Sequence, residues 1–230
     1  MMFNEKIYRQ NEEKREDLTE LVFILDRSGS MSGLEEDTIG GFNSVIEKQK
    51  RQSGKCLVTT VLFDSRVQTL HDRVELQELR PMTREDYSVG GCTALLDALG
   101  GTIRHIASIH RYARPEDVPA RTSFVIMTDG LENASRVFGS EEVKRMILHE
   151  KEKYGWEFLF LAANIDAVET AERMGIQRDR AVNYHPDEKG IRMAYDAVDK
   201  VVSARRASAA PLSADWCADV DMDYRNRKRS

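Results

Sequence analysis

The feature of this sequence that most constrains its fold is an uninterrupted apolar run at positions 21–25, Leu-Val-Phe-Ile-Leu, which ends at Asp26. Successive side chains of a β-strand point to opposite faces, so a strand that is apolar at every position has both faces buried. We therefore predict a buried strand over residues 18–26. Asp26 then begins a polar loop, Asp-Arg-Ser-Gly-Ser, at the end of that strand.

Strands and helices alternate along the rest of the chain. Residue patterns predict further strands over 56–63, 66–74, 122–128, 157–162 and 181–184. They predict helices over 34–52, 93–113, 166–174 and 187–207, and another that starts at Ser140. Because helices separate most of the strands, we expect a doubly wound α/β fold, with a mostly parallel six-stranded sheet and helices on both faces.

One connection between strands is too short for a crossover. Asp64 and Ser65 alone separate the strands predicted over 56–63 and 66–74, so these two strands should pair antiparallel. The second of them alternates apolar and polar residues, as half-exposed strands do. We therefore predict that it is the single antiparallel edge strand of the sheet.

Composition restricts the class of protein. Hydrophobic residues make up 41% of the chain and charged residues 32%, which is typical of a soluble globular protein. The net charge of −5 gives no reason to expect nucleic-acid binding, and no apolar stretch approaches the roughly 20 residues that span a bilayer. The polar start of the chain is unlike a signal peptide, and three cysteines without a Cys-x-x-Cys pair favour reduced thiols in the cytoplasm.

We divide the chain into three parts on the basis of these patterns. Residues 1–17 form a polar N-terminal segment, and residues 18–208 form one domain. Residues 209–230 show no convincing period, so we expect a mobile C-terminal tail, although Trp216 could anchor it.

Oxygen-bearing side chains follow two of the predicted strands, and another opens a predicted helix. Asp26, Ser28 and Ser30 lie in the first loop, Thr93 follows Gly90-Gly91, and Asp129 follows the strand over 122–128. The carboxyl ends of parallel strands meet at one edge of an open α/β sheet, so these side chains should lie close together. Hydroxyl and carboxylate oxygens are the ligands that hard cations such as Mg²⁺ prefer. The sequence therefore predicts a metal site at this edge.

Other readings of the same residues are possible. Ser28, Ser30 and Thr93 could cap helices or satisfy turns, and Asp129-Gly130 is an ordinary turn pair. A phosphotransferase of the haloacid dehalogenase type also places an aspartate after its first strand, but it needs a second aspartate two residues later, where this chain has Ser28.

Three motifs occur in a recognisable order over residues 18–205. They are Asp-x-Ser-x-Ser at 26–30, Gly-Gly-x-Thr at 90–93 and an apolar strand ending in Thr-Asp-Gly at 128–130. This order resembles that of von Willebrand factor A (vWA) domains of the cytoplasmic bacterial type that carry a metal-ion-dependent adhesion site. The resemblance implies a doubly wound sheet with one antiparallel edge strand, in agreement with the element pattern.

The resemblance also implies roles for the site residues. Ser28, Ser30 and Thr93 would contact Mg²⁺ (or Mn²⁺ or Ca²⁺) directly, while Asp26 and Asp129 would act mostly through water and hydrogen bonds. The remaining metal position would be filled by an Asp or Glu of a protein partner. Neutral hydroxyl ligands leave the charge of the cation poorly neutralised, so an outside carboxylate can gain a strong bond.

These expectations combine into a function. We expect a cytoplasmic adaptor module that binds a divalent cation and docks a protein partner, with no nucleic-acid or membrane ligand. We do not expect an enzyme, because the sequence has no recognisable general base, nucleophile or cofactor loop. The alternative is a metal-dependent phosphoester hydrolase, in which the cation would activate water. We also expect Thr93 to lie in a surface loop.

Overall fold

Six strands form one sheet in the order β3-β2-β1-β4-β5-β6 in the computed structural model, which describes residues 15–208, 210 and 212–228. The strands are β1 (Arg15–Asp26), β2 (Lys55–Phe63), β3 (Val67–Glu75), β4 (Pro119–Thr128), β5 (Glu157–Ala162) and β6 (Ala181–Asn183). β3 pairs antiparallel with β2 at one edge, and every other neighbouring pair is parallel. The predicted sheet and its antiparallel edge strand are confirmed.

Six α-helices in the described part of the chain cover the two faces of the sheet. They are α1 (Glu35–Lys50), α2 (Leu95–Tyr112), α3 (Ser140–Tyr154), α4 (Ala167–Arg173), α5 (Glu188–Ala207) and α6 (Ala218–Lys228). Helices α1, α5 and α6 pack on one face of the sheet, where their residues form a hydrophobic cluster with every second residue of β1. Helices α2, α3 and α4 pack on the other face and form a second cluster with the β1 residues in between. Phe23 faces the first cluster and Ile24 the second, and neither is exposed.

α1 and α5 approach each other closely at a glycine. A methyl group on Gly41 of α1 would lie 2.1 Å from the ring of Tyr195 on α5, so only a residue without a Cβ lets the two helices pack in this way. At the far end of the pair, the Arg206 guanidinium donates to both the backbone and the side-chain oxygen of Gln49, at 2.7 and 3.0 Å. The close contact of α1 and α5 therefore makes this helical layer a rigid support for the face of the sheet on which it packs.

The order of the strands reverses direction at β1. The chain passes from β1 to β2 on one side, and β4 then lies against β1 on the other side. In open α/β sheets a crevice forms at such a reversal, outside the carboxyl ends of the strands. Asp26 ends β1 and Asp129 follows β4, so both predicted carboxylates lie at this point.

The prediction of a tail without regular structure is wrong for residues 212–228. Residues Ala214–Cys217 form a 3₁₀ turn and lead into α6. The Trp216 side chain is only 7% exposed, its indole N–H donates to the Asp179 carbonyl at 2.7 Å, and Val220 is buried in the same cluster. α6 is polar on most sides and has no clear apolar period, which explains why the sequence pattern did not reveal it.

The N-terminal boundary also differs from the prediction. β1 begins at Arg15, three residues before the expected start, so residues 15–17 belong to the sheet. The remainder of the predicted polar segment, residues 1–14, lies outside the described residues. All three cysteines are free thiols, as expected, and Cys56 is buried in β2. None of the described helices is both long and apolar enough to cross a membrane.

The packing of Trp216 yields a prediction about stability. Replacing Trp216 by Ala removes a nearly buried aromatic side chain and its hydrogen bond, which should lower the free energy of unfolding by about 3 kcal/mol. For a chain of this size that corresponds to a fall in Tm of roughly 6–12 °C, measurable by calorimetry. Met222→Ala on α6 is the matched control, because Met222 is 59% exposed and its loss should change stability by less than ~0.5 kcal/mol. An unchanged Tm in Trp216→Ala would show that the C-terminal segment does not stabilise the domain.

Candidate metal site

Asp26 joins the loops that follow β1 and β4. Its side chain is 1% exposed, and Oδ1 accepts the Ser28 backbone N–H at 2.7 Å. Oδ2 accepts the Thr128 hydroxyl, at the end of β4, at 2.5 Å. The carboxylate therefore fixes the turn after β1 and ties it to the neighbouring strand.

The first loop brings two serine hydroxyls together. Gly29–Met31 form a single 3₁₀ turn after Ser28, and the Ser28 and Ser30 Oγ atoms lie 3.1 Å apart. The Ser30 hydroxyl also donates to Asp129 Oδ1 at 2.5 Å. Ser28 is buried and Ser30 is exposed, so one hydroxyl of the pair lies in the interior and the other is accessible to solvent. The Ser28 side chain makes no capping hydrogen bond to this turn, which argues against a purely structural role.

The second loop is held against the first by backbone hydrogen bonds. Gly90 N–H donates to the Arg27 carbonyl at 2.9 Å, and Gly29 N–H donates to the Gly91 carbonyl at 3.1 Å. Gly91 has a φ of +73°, and a methyl group there would lie 2.7 Å from the Ser65 hydroxyl oxygen, so the position requires glycine. These contacts place Thr93 beside the serine loop.

The third loop completes the cluster at Gly130. A methyl group on Gly130 would lie 3.1 Å from Thr93 Oγ1, 3.3 Å from Ser30 Oγ and 4.0 Å from Ser28 Oγ. Three hydroxyls from two separate loops therefore surround one small space, which is open because residue 130 has no side chain. The structure brings all five predicted residues together at the carboxyl edge of the sheet, with Asp26 and Asp129 flanking the hydroxyls.

Thr93 differs in one respect from the expectation. It is 3% exposed and is therefore buried, not part of a surface loop. α2 begins at Leu95 and its N-cap residue is Ala94, so Thr93 does not cap the helix. The loop that follows β4 covers it, because Asn133 Oδ1 accepts the Thr93 N–H at 2.9 Å and the Thr93 carbonyl accepts the Asn133 N–H at 3.0 Å.

Two further carboxylates fix the loop over residues 130–138, and sequence reasoning did not assign them this role. Glu132 accepts the Leu96 N–H at the start of α2 and the Ser135 N–H and hydroxyl, at 2.7–2.8 Å. Asp97 on α2 accepts the backbone N–H groups of residues 136–138 at 2.8–2.9 Å. Thr128 was also missed as a partner of Asp26, although it stands in the Thr-Asp-Gly motif. The loop is therefore rigidly attached to α2.

The electrostatics of the site favour a cation. Desolvation by burial raises the pKa of Asp26, although hydrogen bonds from Thr128 and Ser28 act in the opposite direction. Burial likewise raises the pKa of Asp129, and the negative charge of Asp26 adds to the effect. Asp129 Oδ2 is buried and has no hydrogen-bond partner. A buried carboxylate oxygen without a partner is costly, and a positive charge beside it would remove that cost.

The donor set restricts the kind of cation. Within the described residues there is no group of three or more His, Cys, Asp or Glu side chains that could hold a metal. A candidate site therefore depends on the hydroxyls of Ser28, Ser30 and Thr93 with the carboxylate of Asp129. Such neutral and anionic oxygen donors suit a hard divalent cation, and they do not suit a thiolate or imidazole zinc site.

Comparison with solved structures supports the fold. The ArnB paralog VWA2 from Sulfolobus acidocaldarius is 16% identical, with a TM-score of 0.50 over 80% of this chain and 44% of its own length. The von Willebrand factor type A protein from Catenulispora acidiphila is 12% identical, with a TM-score of 0.50 over 80% of this chain and 42% of its own. Proximal thread matrix protein 1 from the mussel byssus, in a structure with a zinc-occupied MIDAS motif, is 15% identical, with a TM-score of 0.54 over 80% of this chain and 45% of its own.

This chain thus spans less than half the length of each of those proteins. No curated protein matches it in sequence. Residues 3–168, which include all five site residues, match the family model described as "VWA domain containing CoxE-like protein". The match covers well over half of the chain and agrees with the sheet order and with the three loops described above, and the chain therefore belongs to the family of CoxE-like proteins that contain a vWA domain.

Proposed function

We propose that this protein is a divalent-cation-dependent protein-binding module that docks a carboxylate of its partner at the site over Gly130. The observation that carries the proposal is the convergence of the Ser28, Ser30 and Thr93 hydroxyls around one space beside a buried carboxylate oxygen that has no partner. Ser30 is exposed, so an external group can reach this space.

The residues around the space would hold Mg²⁺, or Mn²⁺ or Ca²⁺, through oxygen atoms. Ser28, Ser30 and Thr93 would bind it directly, and Asp26 and Asp129 would balance its charge from behind the hydroxyls. When bound, the cation supplies positive charge at the surface that an Asp or Glu of the partner can neutralise. Asp26 is already committed to two hydrogen bonds within the chain, which suits it to the indirect role.

The rim of the site favours a protein as the ligand. Leu131 and Val137 are 63% and 68% exposed, and both belong to the loop that Glu132 and Asp97 fix to α2. Apolar side chains that a rigid loop holds in solvent are typical of an interaction surface, because the loop loses little entropy when a partner covers them. A partner that presents an acidic residue next to apolar ones would match both features.

An enzymatic role has less support from the surroundings of the site. A hydrolase that uses metal-activated water commonly needs a base close to it. All five histidines have partners elsewhere, namely Thr60 for His71, Asp72 for His105, Glu20 for His110, Glu150 for His149 and Tyr224 for His185. We therefore propose a non-enzymatic module. Turnover of a generic phosphoester with Mg²⁺ or Mn²⁺ would favour the alternative, a metal-dependent phosphoester hydrolase.

We further propose that the protein works in the cytoplasm with its thiols reduced. Cys92 is exposed, and burial raises the pKa of Cys56 to about 11. A reducing compartment suits an exposed free thiol next to Thr93. The net charge of −5 likewise suits a protein partner better than a nucleic acid.

The space over Gly130 leads to a prediction about metal binding. Isothermal calorimetry should detect one Mg²⁺ or Mn²⁺ per chain, and Gly130→Ala should weaken binding about tenfold or more, because the new methyl group fills the space between the hydroxyls. Gly139→Ala is the matched control, since a methyl group there meets no atom within 4 Å. Equal affinity in Gly130→Ala and the wild type would place the metal elsewhere.

Partner binding gives a separate prediction. Proteins captured from a lysate by the wild type with Mg²⁺ should be lost in EDTA and in Ser30→Ala, and retained in Ser32→Ala, which removes an exposed hydroxyl from the same loop. Substituting the coordinating carboxylate of a captured partner should cost about 2–5 kcal/mol of binding free energy. A partner that binds as well in EDTA, and to Ser30→Ala, would show that recognition uses another surface.

A further inference from the structure

A second candidate site lies far from the metal site, between the carboxyl ends of α2 and α3. It is a cavity of about 100 Å³ whose walls include His110, His149, Glu150, Tyr154 and Trp156. The 18-residue helix α2 begins beside Thr93 and ends at this cavity, so about 27 Å separates the two sites. Neither the metal-binding residues nor the proposed partner surface accounts for these side chains.

A buried carboxylate with two partners lies behind His110, one of the cavity residues. Glu20 in the middle of β1 is completely buried, and its carboxylate accepts Arg73 Nε at 2.6 Å. Its other oxygen lies 2.6 Å from His110 Nε2, so in the neutral imidazole that nitrogen carries the proton and Nδ1 is an acceptor. Arg73 balances the charge of Glu20, and His110 adds a polar ring to the cavity wall.

Glu150 supplies the negative charge of the cavity. The residue is 7% exposed, and Oε1 lies 3.1 Å from His149 Nδ1. Among the described residues no lysine or arginine lies within ion-pair distance of it, and His149 is half exposed. A carboxylate that is nine-tenths buried normally has a cationic partner, because burial removes its hydration. The cationic member of the lining is Arg111, which is exposed to solvent.

Aromatic rings provide the remaining walls. Trp156 stacks on Phe124 with ring centroids 5.3 Å apart and meets His110 edge to face at 5.4 Å, so its position is fixed. The ammonium group of Lys153 lies 5.0 Å from the centre of the Tyr154 ring, within the distance of a cation–π contact. Aromatic faces combined with a carboxylate are the groups that recognise ammonium ions.

We infer that this cavity binds a small organic ammonium ion, such as a methylated amine or the head of a larger alkylammonium compound. The cation would lie against Trp156 and Tyr154 and would pair with Glu150. At about 100 Å³ the cavity is smaller than the roughly 150 Å³ cavity that holds benzene, which limits the ligand to a single compact head group. A metal ion is a poor alternative, because the described residues contain no group of three His, Cys, Asp or Glu side chains arranged to hold one. This site is independent of the function proposed for the metal site.

Three probes of similar size and different charge test the inference on the full chain. They are tetramethylammonium, neutral tert-butanol and anionic pivalate, titrated at pH 8, where imidazoles are normally neutral. The readout is the indole N–H signal of each tryptophan in ¹H–¹⁵N spectra. Trp156 lines the cavity, while Trp216 packs on the opposite face of the sheet and serves as an internal control.

Tetramethylammonium should shift the Trp156 signal saturably and leave Trp216 unchanged, while pivalate should have no effect. Glu150→Gln should weaken binding of tetramethylammonium at least tenfold, and Glu152→Gln, which removes an exposed carboxylate from the same helix, should not. The inference is overturned if tetramethylammonium leaves Trp156 unshifted, if tert-butanol or pivalate binds as well, or if Glu150→Gln binds like the wild type.

Discussion

The site depends on the two hydrogen bonds that the buried carboxylate of Asp26 accepts. One of its oxygens holds the Ser28 N–H and the other holds the Thr128 hydroxyl, so it sets the turn after β1 and ties that turn to β4. Burial makes the charged form costly and raises its pKa, and the two hydrogen bonds offset only part of that cost. A cation among the neighbouring hydroxyls would offset the remainder. Asp26 thus fixes the loop after β1, and its buried negative charge favours a cation nearby.

The sheet makes this arrangement possible because both of its faces are buried. With β1 packed between two helical layers, the ends of β1 and β4 have little freedom, and their loops inherit defined positions. The 90–94 segment and the loop over 130–138 are then joined to these ends by hydrogen bonds that use Asn133, Glu132 and Asp97. The Ser28 and Thr93 hydroxyls are 65 residues apart in sequence. They meet because the ends of β1 and β4, the 90–94 segment and the loop over 130–138 are all held in place, and no one of these segments forms the site alone.

Local sequence patterns predicted the sheet and most of the helices, but not helix α6 or the contacts between residues that are distant in sequence. Apolar periodicity and turn residues predicted the sheet and its antiparallel edge, and the five residues proposed for the metal site stand in short motifs at strand ends or a helix start, because each of these leaves a local pattern. Helix α6 left none, since among its described side chains only Val220 belongs to the hydrophobic cluster. The role of Thr128 depends on Asp26, 102 residues away, and the Glu20–His110 pair spans 90 residues. Contacts of this kind are decided by the fold and cannot be read from neighbouring residues.

Anomalous diffraction from crystals soaked in Mn²⁺ would reveal directly whether the three loops hold one divalent cation. We expect a single strong peak beside Gly130, within about 2.3 Å of the hydroxyl oxygens of Ser28, Ser30 and Thr93. The peak should disappear in crystals of Gly130→Ala. A peak elsewhere on the chain with none beside Gly130, or no peak at saturating Mn²⁺, would show that these loops do not form a metal site.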